Sequence, residues 1–134
     1  MILIVDANVL FSALIKRGIT YETIFSDKLR LITPDFVIEE YHKHKDEILS
    51  KSGLSGKDLE LLFEILKGQI EIISSQDFID KISEAEEVSP DLNDVHYFAL
   101  ALKFNFSIWS NDKELKKQNK IKVFNTEEIL DLIN

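Results

Sequence analysis

The sequence predicts a three-layer α/β domain in which helices cover both faces of a parallel sheet of about five strands. Short apolar segments alternate with longer segments of helical periodicity, a pattern typical of parallel sheets. The chain contains only four Gly and two Pro, so we expect few turns and many helices. Its 134 residues suit a single domain spanning residues 1–134, and no repeat or linker divides them.

Short segments rich in apolar residues predict the strands. The clearest run is 2–5, where four apolar residues end at Asp6. A run without polar alternation is typical of a strand that is buried on both faces. The other segments that we expect to be extended are 29–32, 70–73, 106–109 and 122–124.

Capping and breaking residues bound the predicted helices. Asn8 is expected to cap the first helix, and Pro34 to start a long helix that Gly53 ends. Ser55 opens the next helix and Gly68 closes it. The remaining helices are predicted at 21–26, 76–87, 90–104, 112–117 and 126–133.

Composition excludes several functional classes. The chain has no Cys, which rules out disulfides, thiolate zinc sites and cysteine nucleophiles. No apolar run approaches the ~18 residues of a membrane span, and no basic region precedes the apolar N-terminus, as it would in a signal peptide. We therefore expect a cytoplasmic protein without membrane association. The net charge of −8 repels nucleic acids at long range, so a nucleic-acid function needs local evidence.

Carboxylates lie at the positions where a parallel sheet places its ligand sites, beyond the carboxyl ends of the strands. Asp6 directly follows the first strand, and a carboxylate there is unfavourable unless it is paired, protonated or bound to a cation. Each of the other acids, taken alone, is also a common residue in the first turn of a helix. Together they would repel one another and require a divalent cation. These other acids are Glu39, Glu40, Asp91, Asp94 and Asp112.

The absence of Cys and of paired His leaves hard oxygen ligands, which favour Mg²⁺ or Mn²⁺. Such an ion lowers the pKa of bound water and offsets charge on phosphate oxygens. Phosphodiester hydrolysis is therefore the chemistry that this set of residues indicates, with either one ion or two.

Four segments in order carry these acids, and a fifth segment closes the chain. They are IVDANVL at 4–10, PDFVIEEY at 34–41, DLND at 91–94, WSNDKEL at 109–115 and VFNTEEIL at 123–130. Their order and spacing resemble the motifs of PIN domains, the family of VapC-like metal-dependent ribonucleases, over nearly the whole chain. The resemblance implies a PIN-like fold and a divalent-metal-dependent endoribonuclease, either a toxin of a toxin–antitoxin pair or an RNA-processing nuclease.

The same resemblance assigns roles to individual residues. It implies that four acids are both catalytic and metal-binding, and that Asp91 is an auxiliary ligand. Asn8 and Ser110 would orient the carboxylates through hydrogen bonds. Glu39 and Glu40 are neighbours, and the spacing of the motif favours Glu40 over Glu39 as the ligand. The four acids are Asp6, Glu40, Asp94 and Asp112.

Partners also follow from the resemblance. It implies an RNA substrate, an antitoxin protein and a homodimer. Basic residues downstream of the proposed ligands could offset the acidic net charge, although the lysine run after Asp112 is also typical of a solvated helix face. His42 and His44 would diverge on a helix and would not share an ion. The residues expected to contact RNA are Lys16, Arg17, Lys43, Lys113, Lys116 and Lys117.

Three other hypotheses compete with a ribonuclease. A phosphatase of the haloacid dehalogenase type needs an Asp two residues after the first, where this chain has Asn8. A response-regulator receiver needs an acidic neighbour beside Asp6 and a Lys after a late strand, and neither is present. The third is a non-catalytic PIN-like scaffold that binds RNA or protein. All four acidic positions are filled here, which favours the enzyme.

Overall fold

The computed structural model describes all 134 residues and contains one sheet of five parallel strands. The strand order is β3-β2-β1-β4-β5, with β1 at the centre. This arrangement confirms the predicted parallel sheet. The strands are β1 Ile2–Val5, β2 Arg30–Pro34, β3 Ile70–Ile73, β4 Ser107–Trp109 and β5 Val123–Phe124.

Seven α-helices surround the sheet, and short 3₁₀ turns join several of them. The helices are α1 Ala7–Ile15, α2 Ile19–Ile24, α3 Phe36–Ser52, α4 Gly56–Lys67, α5 Ile82–Val88, α6 Val95–Phe104 and α7 Thr126–Ile133. The 3₁₀ turns are Ser75–Asp77, Ile79–Lys81, Leu92–Asp94 and Lys113–Lys117.

The strand order explains why helices lie on both faces. The chain moves in one direction from β1 to β2 and β3, then crosses back to β4 and β5. Because crossover connections are right-handed, the two directions place their helices on opposite faces. On one face α1 packs against α2, α3 and α4; on the other, α6 lies across β1, β2 and β4 with α5 packed on it. The predicted three-layer architecture is therefore confirmed.

The start of α1 differs from the prediction. Asp6, and not Asn8, is the N-cap, because the helix begins directly after β1. Pro34 likewise ends β2 instead of starting α3. The fixed φ of proline is compatible with extended backbone, and the Pro34 position pairs with Ile73 at the end of the strand. The long helix consequently begins two residues later than expected.

The predicted helix at 76–87 was wrong in its first half. Two 3₁₀ turns occupy that part, and regular helix begins at Ile82. Phe78 separates the turns with a φ of −135°, and its side chain is fully buried. Pro90 also lies outside a helix, since Asp91 caps the 3₁₀ turn that precedes α6.

One continuous core of 33 buried residues occupies both sides of the sheet. Trp109, at the end of β4, is fully buried, and its Nε1 donates a hydrogen bond of 3.0 Å to Thr126 Oγ1. This tryptophan therefore belongs to the core. None of the helices combines the length and apolar character that spanning a membrane requires.

Candidate functional site

The register of the two central strands brings the first elements of the site together. Val5 pairs with Trp109, so Asp6 and Ser110, the residues that follow, are neighbours at the carboxyl edge of the sheet. Asp6 is only 2% exposed, and Ser110 Oγ donates to its Oδ2 at 2.7 Å. The same hydroxyl accepts from the Asp112 backbone N–H at 3.1 Å. A single serine thus links the ends of β1 and β4.

Five carboxylates line one pocket of about 300 Å³ at this edge of the sheet. They come from the end of β1, from α3, from the turn before α6 and from the segment after β4. Glu39 is exposed and does not line the pocket, whereas its neighbour Glu40 does. The fold therefore brings together every acid that the sequence proposed as a ligand. The five are Asp6, Glu40, Asp91, Asp94 and Asp112.

The carboxylates raise one another's proton affinity. Burial raises the pKa of Asp6, and the charge of Asp112 adds to this, while the Ser110 hydroxyl and the nearby Asn8 N–H act in the opposite direction. The pKa of Asp94 rises to about 7, first through burial and then through the charges of Asp6, Asp91, Asp112 and Glu40. The ionised cluster is therefore unfavourable unless a positive charge enters it.

Direct ion pairs with Lys or Arg do not provide that charge. No Lys or Arg forms an ion pair with any of the five pocket carboxylates. The one basic side chain in contact is His44, whose Nε2 lies 3.4 Å from Glu40 Oε2. An all-oxygen donor set with excess negative charge fits a hard divalent cation.

The side chains do not form a closed metal cage. In these conformations no group of three or more His, Asp or Glu residues could hold an ion by itself. Mg²⁺ commonly keeps several of its waters and binds proteins through one or two carboxylates. The pocket therefore fits a hydrated ion, with direct and water-linked contacts, better than a fully dehydrated one.

Two of the acids also cap local turns and keep one oxygen free. Asp91 Oδ1 accepts from the Asn93 N–H at 2.9 Å, and Asp112 Oδ1 accepts from the Glu114 N–H at 3.0 Å. The second oxygen of each carboxylate forms no hydrogen bond within the protein. Each of these residues can therefore cap its turn with one carboxylate oxygen and bind a cation with the other.

The two residues expected to orient the carboxylates behave differently. Ser110 donates to Asp6, which is the contact expected of it. Asn8 is exposed and lines the pocket, but its side chain forms no hydrogen bond; only its backbone N–H lies near the Asp6 carboxylate. The expected contact from the Asn8 side chain is therefore absent.

The expected RNA-contacting residues divide into free and paired groups. Lys43 lines the carboxylate pocket, Lys113 lies beside Asp112, and Lys16 lines an adjoining groove; none of these lysines pairs with a carboxylate. The other three are engaged within the protein. Arg17 donates to the Leu14 carbonyl, Lys116 pairs with Glu128, and Lys117 pairs with Glu114.

Sequence reasoning missed Tyr97 and Phe11, which also line the pocket. Tyr97 is 1% exposed, and burial together with the charges of Asp6 and Glu40 raises the pKa of its hydroxyl. Helical spacing provided a signal, because residues three apart lie on the same face of a helix. Tyr97 follows Asp94 by three positions, and Phe11 follows Asn8 by three.

Comparisons with known proteins agree with this fold. A family model described as the PIN domain matches residues 4–131, a range that includes all five pocket carboxylates. A chain in the crystal structure of VapBC2 from Rickettsia felis, bound to a DNA fragment from their promoter, is similar with a TM-score of 0.69. That match has 18% sequence identity and covers 93% of this chain and 98% of the other. The comparison with curated proteins found no match.

Proposed function

The chain belongs to the PIN domain family, and we propose that it is a divalent-metal-dependent endoribonuclease that hydrolyses RNA phosphodiester bonds. The observation that carries the proposal is a pocket of five carboxylates, none of which forms an ion pair with Lys or Arg. A cluster of this charge is unfavourable by itself and favourable around a cation. The proposed activity therefore depends on a bound cation.

Four residues would hold the hydrated ion, Mg²⁺ or Mn²⁺, through direct and water-linked contacts, with Asp91 as an auxiliary ligand. When bound, such an ion lowers the pKa of water and offsets negative charge on the phosphate oxygens. The protein's contribution is to position the ligands, and the hydrogen bond from Ser110 fixes the orientation of the Asp6 carboxylate. The four are Asp6, Glu40, Asp94 and Asp112.

The shape and charge of the surface around the pocket support the proposal that an RNA strand binds there. A groove of about 510 Å³ adjoins the pocket and shares Asn8, Phe11 and His44 with it. Lys16 lines this groove, and Lys43 lines the pocket itself. Together with Lys113, these unpaired cations would contact backbone phosphates on both sides of the scissile bond. The paired Arg17, Lys116 and Lys117 would contribute less.

Partner and location belong to the same proposal. The similar solved structure is a complex, VapBC2 with promoter DNA, and a partner protein of antitoxin type is proposed here by analogy. The proposal also includes a homodimer and a cytoplasmic location. A neighbouring reading frame for a small protein would favour a toxin, and its absence would favour RNA processing.

A non-catalytic scaffold is the alternative function. A scaffold would have no need to gather five acids in one pocket, because the cluster opposes folding when no cation is bound. The filled acidic positions and the raised pKa of Asp94 therefore favour an enzyme.

The test is cleavage of a mixed set of labelled RNAs with Mn²⁺, Mg²⁺ or EDTA. The wild type should cut only with metal, and Asp6→Asn should not cut although it stays folded. Asp46→Asn is the matched control, since Asp46 is exposed on α3 and forms no ion pair. Full activity in Asp6→Asn would overturn the proposed site. Absence of cutting together with no Mn²⁺ effect on the melting temperature would indicate a scaffold.

A further inference from the structure

The Tyr97 hydroxyl is buried and donates no hydrogen bond, although the Ala7 backbone N–H lies near its oxygen. The residue is 1% exposed and lines the carboxylate pocket beside Asp6, Glu40 and Asp94. Buried polar groups in native proteins almost always have a partner, so an exception requires an explanation. The other unpartnered side-chain atom is His96 Nδ1, which does not line the pocket.

Packing holds the tyrosine ring in this place. Tyr97 lies in the first turn of α6, three residues after Asp94, and α6 packs across β1, β2 and β4. The Phe36 ring contacts it edge-on, with ring centroids 6.4 Å apart. Because the ring is enclosed, it cannot swing out of this place. Its position at the pocket is therefore fixed by the fold.

The charged groups near this hydroxyl, Asp6, Glu40 and Asp94, are acceptors. Ionised carboxylates only accept hydrogen bonds, and a neutral phenol can donate one. Without a cation, the like charges of Asp6, Glu40 and Asp94 oppose close approach. A bound cation would offset that repulsion and allow the carboxylates to approach one another. One of them could then accept a hydrogen bond from the Tyr97 hydroxyl.

We propose that Tyr97 is a positioning residue whose hydroxyl donates to a pocket carboxylate when a divalent cation is bound. The inference rests on the proposed function and adds a residue to it. It assigns Tyr97 a role similar to that of Ser110, which already donates to Asp6. Carboxylates that bind metals are commonly oriented by such hydrogen bonds, and their loss weakens metal affinity about 10–100-fold.

Tyr97→Phe removes only the hydroxyl and keeps the packed ring. In EDTA this variant should melt at about the wild-type temperature or above it, because the buried hydroxyl that it removes donates no hydrogen bond in the metal-free protein. In a calorimetric titration with MnCl₂ its affinity should be about tenfold or more below that of the wild type. Lower metal affinity without lower stability is a result that a merely structural tyrosine would not give.

Tyr41→Phe is the matched control. Tyr41 is also fully buried, but its hydroxyl donates to Glu60 Oε1 at 3.1 Å and does not line the pocket. This control should lose stability in EDTA and bind Mn²⁺ as the wild type does. If Tyr97→Phe behaves like Tyr41→Phe, the inference is overturned while the proposed function stands. If the wild type neither binds Mn²⁺ nor cuts RNA, the proposed function itself fails.

Discussion

Replacing Asp94 by Asn should make the metal-free protein more stable. Asp94 is the N-cap of α6, but its side chain forms no capping hydrogen bond, so Asn costs nothing there. The substitution removes one negative charge from a pocket that holds four other carboxylates. It also removes the cost of keeping a charged carboxylate half-buried.

The raised pKa sets the size of the effect. One pKa unit corresponds to ~1.4 kcal/mol, so a change from the ordinary 3.8 to about 7 corresponds to roughly 4 kcal/mol for a fully shielded group. Asp94 is half-buried, and solvent screening reduces the gain in the free energy of unfolding to about 1–2 kcal/mol at pH 8. For a domain of this length that is about 3–8 °C in melting temperature.

The gain should depend on pH in a defined direction. Between pH 3.8 and about 7 the folded protein binds more protons at Asp94 than the unfolded chain does. The stability of the wild type therefore falls as pH rises through that window, and the Asn variant lacks this loss. The difference between the two proteins should be full at pH 8 and about half as large at pH 5.5.

Thermal melts in EDTA at the two pH values measure this difference. Asp46→Asn, an exposed substitution on α3, controls for the general loss of one negative charge. A destabilised Asp94→Asn, or a gain equal to that of Asp46→Asn, would refute the account of the carboxylate pocket. The same melts with Mn²⁺ added should show a large shift in the wild type and a much smaller one in Asp94→Asn.

Three further predictions concern other contacts and conditions. Ser110→Ala, which removes the donor to Asp6 Oδ2, should cost about 1–3 kcal/mol in urea denaturation, and an unchanged midpoint would contradict the role given to that bond. Glu40→Gln should weaken Mn²⁺ binding in calorimetry, whereas Glu39→Gln should not, because only Glu40 lines the pocket; equal losses would exclude this assignment. The Mn²⁺-induced rise in melting temperature should be larger at pH 8 than at pH 5.5, since protons compete with the ion for Asp94 below its pKa of about 7. A rise that is independent of pH would contradict the assignment of Asp94 as a ligand.

The sequence predicted the edge of the sheet on which the site lies because parallel strands place their carboxyl ends together. Asp6 and Asp112 each follow a predicted strand, so this rule alone places them at the same edge. The choice between Glu39 and Glu40 needed motif spacing, and the structure supplies the physical reason, since one residue faces solvent and the other faces the pocket. Neighbouring positions on a helix point in different directions, which residue type alone does not reveal.

Local details were less predictable. Asn8 and Pro34 are strong helix-start residues, yet β1 runs directly into α1 and β2 extends through Pro34, because strand pairing outweighs the local preference. The predicted side-chain contact from Asn8 is absent because Asn8 lies inside the first turn of α1, where its backbone N–H is the group near the Asp6 carboxylate. Tyr97 could not be identified as an unpartnered donor, because a missing hydrogen bond depends on the packing of the whole pocket.

The chemical ends of the RNA products test the central claim most directly. If water activated in the carboxylate pocket attacks phosphorus and the 3′ oxygen leaves, the products carry 5′-phosphate and 3′-hydroxyl ends. We expect those ends with Mn²⁺ or Mg²⁺, and no cleavage in EDTA or with Asp6→Asn. Products with 2′,3′-cyclic phosphate ends, or cutting that persists in EDTA, would contradict the account, because the RNA 2′-hydroxyl would then be the nucleophile.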